Sequence, residues 1–173
     1  NNNNHRNNFT HEYYDKLMDD SDKDKFRQLR DEEVDKYNTP YEDAEIIIAY
    51  THTTRKEYNK LMCDKLGITN MFDIGAKIIC KTNKLRKFDI YNNFQFKVDD
   101  IDNHNIVLVS KHGIKYTLPI HTFNNKNYFD FGYAVTLYAV QGSSLNSFHY
   151  CIDDIKYLTG RGLYTLISRI KNK

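Results

Sequence analysis

The apolar positions of this chain change their spacing along its length, and each spacing predicts a different element. Residues 45–50, Glu-Ile-Ile-Ile-Ala-Tyr, form an unbroken β-branched run. A strand with one wet face alternates, so a continuous run predicts a strand covered on both faces, as in a parallel sheet. Thr51-His52-Thr53 follows as a tight corner. Behind it Thr54-Arg55-Lys56-Glu57 reads as a capping box, and Tyr58, Leu61, Met62 and Leu66 recur at helical spacing, with Gly67 placed to end the helix. Residues 133–138 and 148–152 return to the buried-strand type. Leu163, Leu166, Ile167 and Ile170 then form a core-facing helical stripe whose last turn carries Arg169 and Lys171.

Between these segments the pattern shortens. A strand entered through Gly75 covers 74–80, Phe94 to Val98 alternates, 106–109 is apolar, and His112-Gly113 makes a hairpin corner before 114–118. Several short strands in one span predict a small antiparallel β-barrel over 74–121, inserted into an α/β domain made of 41–73 and 122–173. Ahead of them, 1–8 is an Asn-rich segment expected to be disordered. Residues 9–40 read as a helical connector on the surface. Thr10 caps one short helix through Tyr13, Tyr14 and Leu17. Ser21 caps a second with Phe26, Leu29 and Val34, and Asn38-Thr39-Pro40 ends it.

Composition narrows this picture. The chain has 173 residues, one domain's worth with room for an insertion, and 40% hydrophobic residues. The 14% aromatic content is all Tyr and Phe. A net charge of +2 gives no global argument for a polyanion partner, so a nucleic-acid surface would be a local patch. Cys63, Cys80 and Cys151 are widely scattered, which reads as reduced intracellular thiols and not as a disulfide frame or a metal site. No apolar run approaches the roughly 20 residues of a membrane helix, so no membrane partner is expected, and the polar start carries no sign of a signal peptide. The absent initiator Met and the opening Asn run suggest a piece of a longer, intracellular protein, acting in cytoplasm or nucleus, or at a viral replication site.

The most informative stretch is 132–144, Gly-Tyr-Ala-Val-Thr-Leu-Tyr-Ala-Val-Gln-Gly-Ser-Ser, read with 161–171. A buried strand feeding a glycine corner, followed by a basic helix, is how α/β proteins build a phosphate site at the end of a sheet. Each part has a plainer reading. Gln141-Gly142 alone is a turn, Arg169 alone is an arginine reaching water from an amphipathic helix, and His52 alone is a hydrogen-bonded corner residue. Lys81, Lys84, Arg86 and Lys87, with Phe88 and Tyr91, are either a solvated loop or a basic and aromatic edge for single strands.

Taken in order, four segments resemble the second RecA-like domain of superfamily 1 helicases, in the Pif/RecD-like branch that runs 5′ to 3′. Thr136, Gln141 and Gly142 match motif V, Thr-x-His-Lys-x-Gln-Gly, with Ser144 keeping a hydroxyl where Thr is frequent. Tyr164, Ser168 and Arg169 match motif VI, Leu-Tyr-x-Ala-x-Ser/Thr-Arg. Residues 46–59 resemble motif IV, with His52 where Asn is common. Residues 75–98 resemble the preceding Gly-x-x-Val/Ile strand and Asn-Gly turn, written here Tyr91-Asn92-Asn93. The resemblance covers most of 45–171. It implies a RecA-like parallel sheet flanked by helices, and a C-terminal motor domain that couples ATP hydrolysis to translocation on single-stranded DNA and to duplex unwinding.

The same resemblance implies the site residues. Arg169 and Gln141 would be catalytic and Gly142 would join them at the nucleotide. Thr51, His52, Thr136, Ser143 and Ser144 would hold single-stranded DNA, with RNA also open. ATP and Mg²⁺ would be bound mainly by an upstream RecA-like domain, because the chain has neither a Gly-x-x-x-x-Gly-Lys-Ser/Thr loop nor an Asp-Glu strand end. Alone it is expected to be inactive. Tyr138 and Ala139 replace the family's His-Lys pair, so a catalytically inactive RecA-like binding module is the alternative, and a stand-alone nucleic-acid-binding barrel is a third.

Overall fold

A computed structural model of the chain describes residues 20–124, 128–141 and 144–171. The Asn-rich segment and the expected helix over 10–17 lie outside the described residues, as do Gly142 and Ser143. The described elements are α1 (Asp20–Tyr37), β1 (Ile46–Ala49), α2 (His52–Leu66), β2 (Lys77–Cys80), β3 (Gln95–Ile101), β4 (Asn105–Ser110), β5 (Lys115–Pro119), α3 (Ile120–Phe123), β6 (Phe129–Phe131), β7 (Ala134–Thr136), β8 (Phe148–Tyr150) and α4 (Gly160–Ile167). Short 3₁₀ segments, Leu137–Val140 and Ile152–Tyr157, follow β7 and β8.

The unbroken run at 46–49 becomes the centre of a parallel sheet in the order β7-β1-β8. Ile47 pairs with Ala134 and Ala49 with Thr136 on one side, and Ile46 pairs with Phe148 on the other. All four β1 side chains are buried because each face has its own cover. Ile46 and Ile48 join Phe148, Tyr150, Val135, Val34 of α1 and Leu163 and Leu166 of α4. Ile47 and Ala49 face Ala134 and Cys151, against which Tyr58 and Met62 of α2 pack. This is the three-layered, RecA-like α/β arrangement, with the expected surface helix α1 burying Val34 completely.

An asparagine closes each outer edge of this short sheet. Asn59 on α2 accepts from the Ala134 amide and donates to its carbonyl, both at 2.9 Å. Asn38 accepts from the Tyr150 amide at 2.6 Å and reaches its carbonyl at 3.4 Å. A carboxamide offers a donor and an acceptor in the spacing of a strand rung, so each side chain occupies the place of one residue of a missing neighbour.

The second sheet is antiparallel, in the order β5-β4-β3-β2-β6. Among the described residues it is open, and β5 and β6 are its two edges, so the expected barrel is corrected to an open sheet. Rings fill the core between the edges: Phe123 of α3 lies 4.8 Å from Phe129 and 5.0 Å from Phe72. The sheet also takes in Phe129–Phe131, past residue 121. Its turns follow the sequence closely. Gly113 takes φ +79° in the β4–β5 hairpin, and Asn93 takes φ +69° in the Tyr91-Asn92-Asn93 turn. The chain returns to the parallel sheet through Gly132, where a Cβ would stand 2.9 Å from the Ile78 carbonyl carbon. Only glycine lets the crossover lie flat against β2.

Candidate nucleotide and nucleic-acid site

Because β1, β7 and β8 are parallel, their carboxyl ends meet at one edge, the place where open α/β sheets bind ligands. Thr51, His52 and Thr136 lie there together. Thr136 ends β7 opposite Ala49, two residues before Thr51, and His52 is exposed as the first residue of α2. The N-cap of α2 is Thr51, not the Thr54 that the capping-box pattern suggests: its Oγ1 accepts from the Thr54 amide at 3.1 Å. Thr54 is turned inward instead and is buried.

What turns it is Asp154. This carboxylate, 2% exposed, sits in the 3₁₀ turn after β8. Its Oδ2 accepts from the amides of Tyr50 and Thr51 at 2.7 and 3.0 Å. Its Oδ1 accepts from the Thr54 hydroxyl at 3.0 Å, and the Thr51 hydroxyl donates to Thr54 at 2.8 Å. The Thr51 proton is thus directed along a relay to Asp154 and away from a ligand. At this edge His52 and Thr53 are exposed and Thr136 is half-buried. The buried anion also marks its neighbours. Burial first, then Asp154, pushes the Cys151 thiol up to about 12, and burial with Cys151 beside it pushes Tyr58 to about 12.

Arg169 lies elsewhere. The α4 helix stops at Ile167 with Ser168 as its cap, so Arg169 follows the cap and does not ride in the last turn. Its backbone forms a parallel rung with the segment leading into β8: the Leu145 amide donates to the Arg169 carbonyl at 2.8 Å, and the Lys171 amide donates to Leu145 at 2.9 Å. Two residues on, the Ser147 hydroxyl accepts from the Glu45 amide at 3.0 Å, just ahead of β1. Arg169 and Ser144 are therefore tied to the chain entering the sheet, away from the edge that carries Thr51, His52 and Thr136. Arg169 Nε is buried with no hydrogen-bond partner among the described residues. Gln141 is exposed after the turn that follows Thr136. Gly142 and Ser143 fall outside the described residues.

Asp154, Asn59 and Asn38 were not singled out from the sequence. The Asp153-Asp154 pair just past a buried strand was the available signal for the first. The two asparagines gave none, since their partners lie 75 and 112 residues away.

No protein-family model matches the chain, and no curated protein matches it in sequence. Solved structures do match. A Pif1 helicase from Bacteroides in complex with ADP-AlF3 and single-stranded DNA superposes with a TM-score of 0.55 at 15% identity, over 84% of this chain and 43% of that one. A structure of Pif1 helicases unwinding forked double-stranded DNA gives 0.54 at 15% identity, over 84% and 40%. The Bacteroides Pif1 bound to single-stranded DNA gives 0.53 at 15% identity, over 84% and 42%. At this identity the likeness establishes a shared fold, a RecA-like α/β domain with an added antiparallel sheet. The chain spans about two fifths of the length of these helicases.

Proposed function

We propose that this chain is the second motor domain of an ATP-dependent DNA helicase, coupling ATP hydrolysis to translocation on single-stranded DNA and to duplex separation. It does so with an upstream RecA-like domain that holds ATP and Mg²⁺. The observation that carries the reading is the separation of two sets of candidates on a helicase-type fold. His52 and Thr136 stand at the carboxyl edge, where Ser, Thr and His groups can track a phosphodiester backbone without reading sequence. Arg169 stands on a different segment, with a buried Nε that has no partner among the described residues. A guanidinium with a donor left unfilled suits a finger that meets the γ-phosphate only when two domains close. Thr51 contributes by shaping the corner, its hydroxyl being engaged with Thr54. Gln141 and Gly142, with Ser143 and Ser144, would link the two sets. ATP supplies the phosphoryl transfer, and this chain's residues supply charge and orientation.

The test is DNA-stimulated ATP turnover by the protein made with its preceding coding sequence. Turnover that rises with added oligo(dT), together with separation of a forked duplex, supports the motor. A stably folded protein that binds DNA but turns over no ATP would instead establish the non-catalytic module, which the Tyr138-Ala139 departure favours.

A further inference from the structure

Residues 81–94 join β2 to β3 and carry four cations, Lys81, Lys84, Arg86 and Lys87, against one acid, Asp89. That is a net +3, while the whole chain is only +2. The loop is thus a local basic patch on a chain whose charges otherwise nearly balance. The loop has a fixed shape. Leu85 and Ile90 anchor it, at 1% and 0% exposure. The Asn93 amide donates to the Cys80 carbonyl at 2.8 Å, and the Asn92 amide to Asn83 Oδ1 at 3.2 Å. Anchoring the two leucine-type side chains inward leaves the charged and aromatic ones outward. Lys84 and Lys87 line a cleft with His121 and Thr122 of α3 and with Tyr128. Lys81 is 3.8 Å from Asp130, but Lys84, Arg86 and Lys87 have no carboxylate partner among the described residues. Beside them Tyr91 and Phe94 are 39% and 41% exposed, with ring centres 5.4 Å apart, and the Arg86 guanidinium lies 6.0 Å from the Tyr91 ring.

Unpaired cations on a rigid loop, next to two exposed rings, match the two needs of a single nucleic-acid strand. Its phosphates require cations in a cleft, and its unstacked bases require aromatic faces. We infer that the 81–94 loop is a second single-strand contact, with Lys84, Lys87 and His121 taking backbone phosphates and Tyr91 and Phe94 stacking bases. It rests on the reading of the chain as a nucleic-acid motor, but it is independent of the Thr51–Thr136 edge and needs no upstream domain. A folded peptide partner would need acidic side chains to satisfy the same loop, and it would not use two adjacent free rings in a sequence-tolerant way.

The test is equilibrium binding of the 173-residue chain to fluorescent oligo(dT) across a salt series. Lys84→Ala with Lys87→Ala should weaken binding and flatten the slope of log K against log salt by about 1.4, at about 0.7 per phosphate contact on a single strand. Tyr91→Ala with Phe94→Ala should weaken binding roughly thirty-fold or more at unchanged slope, at about five-fold or more per stacked base. All four side chains are exposed, so unchanged circular dichroism is expected and guards against misfolding. Wild-type affinity and slope in both double variants would overturn the inference. If His52→Ala with Thr136→Ala weakens binding in the same series, the proposed function stands regardless. Failure of the wild-type chain to bind oligo(dT) would overturn the loop contact while leaving the two-domain motor to its own ATP-turnover test. Loop-dependent binding of a fluorescent polyglutamate peptide, with no binding of oligo(dT), would assign the loop to an acidic protein partner instead.

Discussion

At the residue scale, a few buried polar side chains hold the strand edge in shape. Asp154 satisfies two backbone amides and a hydroxyl at once, so Asp154→Ala leaves three donors unpaired. We expect a loss of about 1–3 kcal/mol for each group that water cannot reach, read as a lower denaturation midpoint. Asn59→Leu should act similarly on the Ala134 amide and carbonyl, while Asn59→Gln should fail to rescue because the longer side chain cannot fit the same rung. The thiols give a separate check. Cys63, Cys80 and Cys151 are free and buried, and burial raises all three. At pH 8 a thiol near 12 is ionised to about one part in 10⁴. Iodoacetamide should therefore leave Cys151 unmodified in the folded chain and label it on unfolding in guanidinium. Acid should loosen two turns. Asp73 is lowered by the amides of Asn70 and Thr69, and Asp102 by those of His104 and Asn105. A depressed folded pKa stabilises above the unfolded value of about 3.9 and ceases to as pH falls through the folded one. Asp73→Asn with Asp102→Asn should flatten the stability–pH curve below about pH 4 and not above it.

At the element scale, glycines divide by what surrounds them. A Cβ at Gly132 meets Ile78 backbone at 2.9 Å, whereas one at Gly162 meets the end of the Leu158 side chain at 2.9 Å. Backbone cannot swing aside and a leucine methyl can. Gly132→Ala should cost about 1–3 kcal/mol through overpacking, and Gly162→Ala should cost less, because it recovers about 1 kcal/mol of helix propensity. Comparative melts of the two variants check the order. The elements themselves were largely legible. The 46–49 run announced a strand covered on both faces, Gly67 takes φ +68° where the helical stripe ends, and Asn93 adopts the turn that Gly would. These are local signals, and local physics set them. What escaped was non-local. Thr51 displaces Thr54 as the cap because Asp154, 100 residues on, draws Thr54 inward. The barrel reading failed because strand count and spacing do not report whether two edges meet. The stripe through Ile170 continued past the true helix end because Ile170 packs on Leu145 as a bridge, not as a further turn.

At the molecular scale, the chain presents faces that its own residues do not cover. Tyr138 and Tyr164, on the two segments most like helicase motifs, are 67% and 73% exposed. Large rings this open are what one half of an interdomain site would display. On the proposed motor reading function depends on closure, and mutations should separate accordingly. Changes at His52 and Thr136 should weaken the hold on DNA, and changes at Arg169 should slow chemistry. The most direct measurement is single-turnover ATP hydrolysis with DNA bound, comparing Arg169→Ala and Arg169→Lys with wild type in the protein that includes the proposed upstream domain. If Arg169 is the finger, Ala should slow hydrolysis by about 10³-fold or more, Lys should restore little of it, and oligo(dT) affinity should be unchanged. Hydrolysis at the wild-type rate in Arg169→Ala would contradict the assignment of this chain as half of an ATP site.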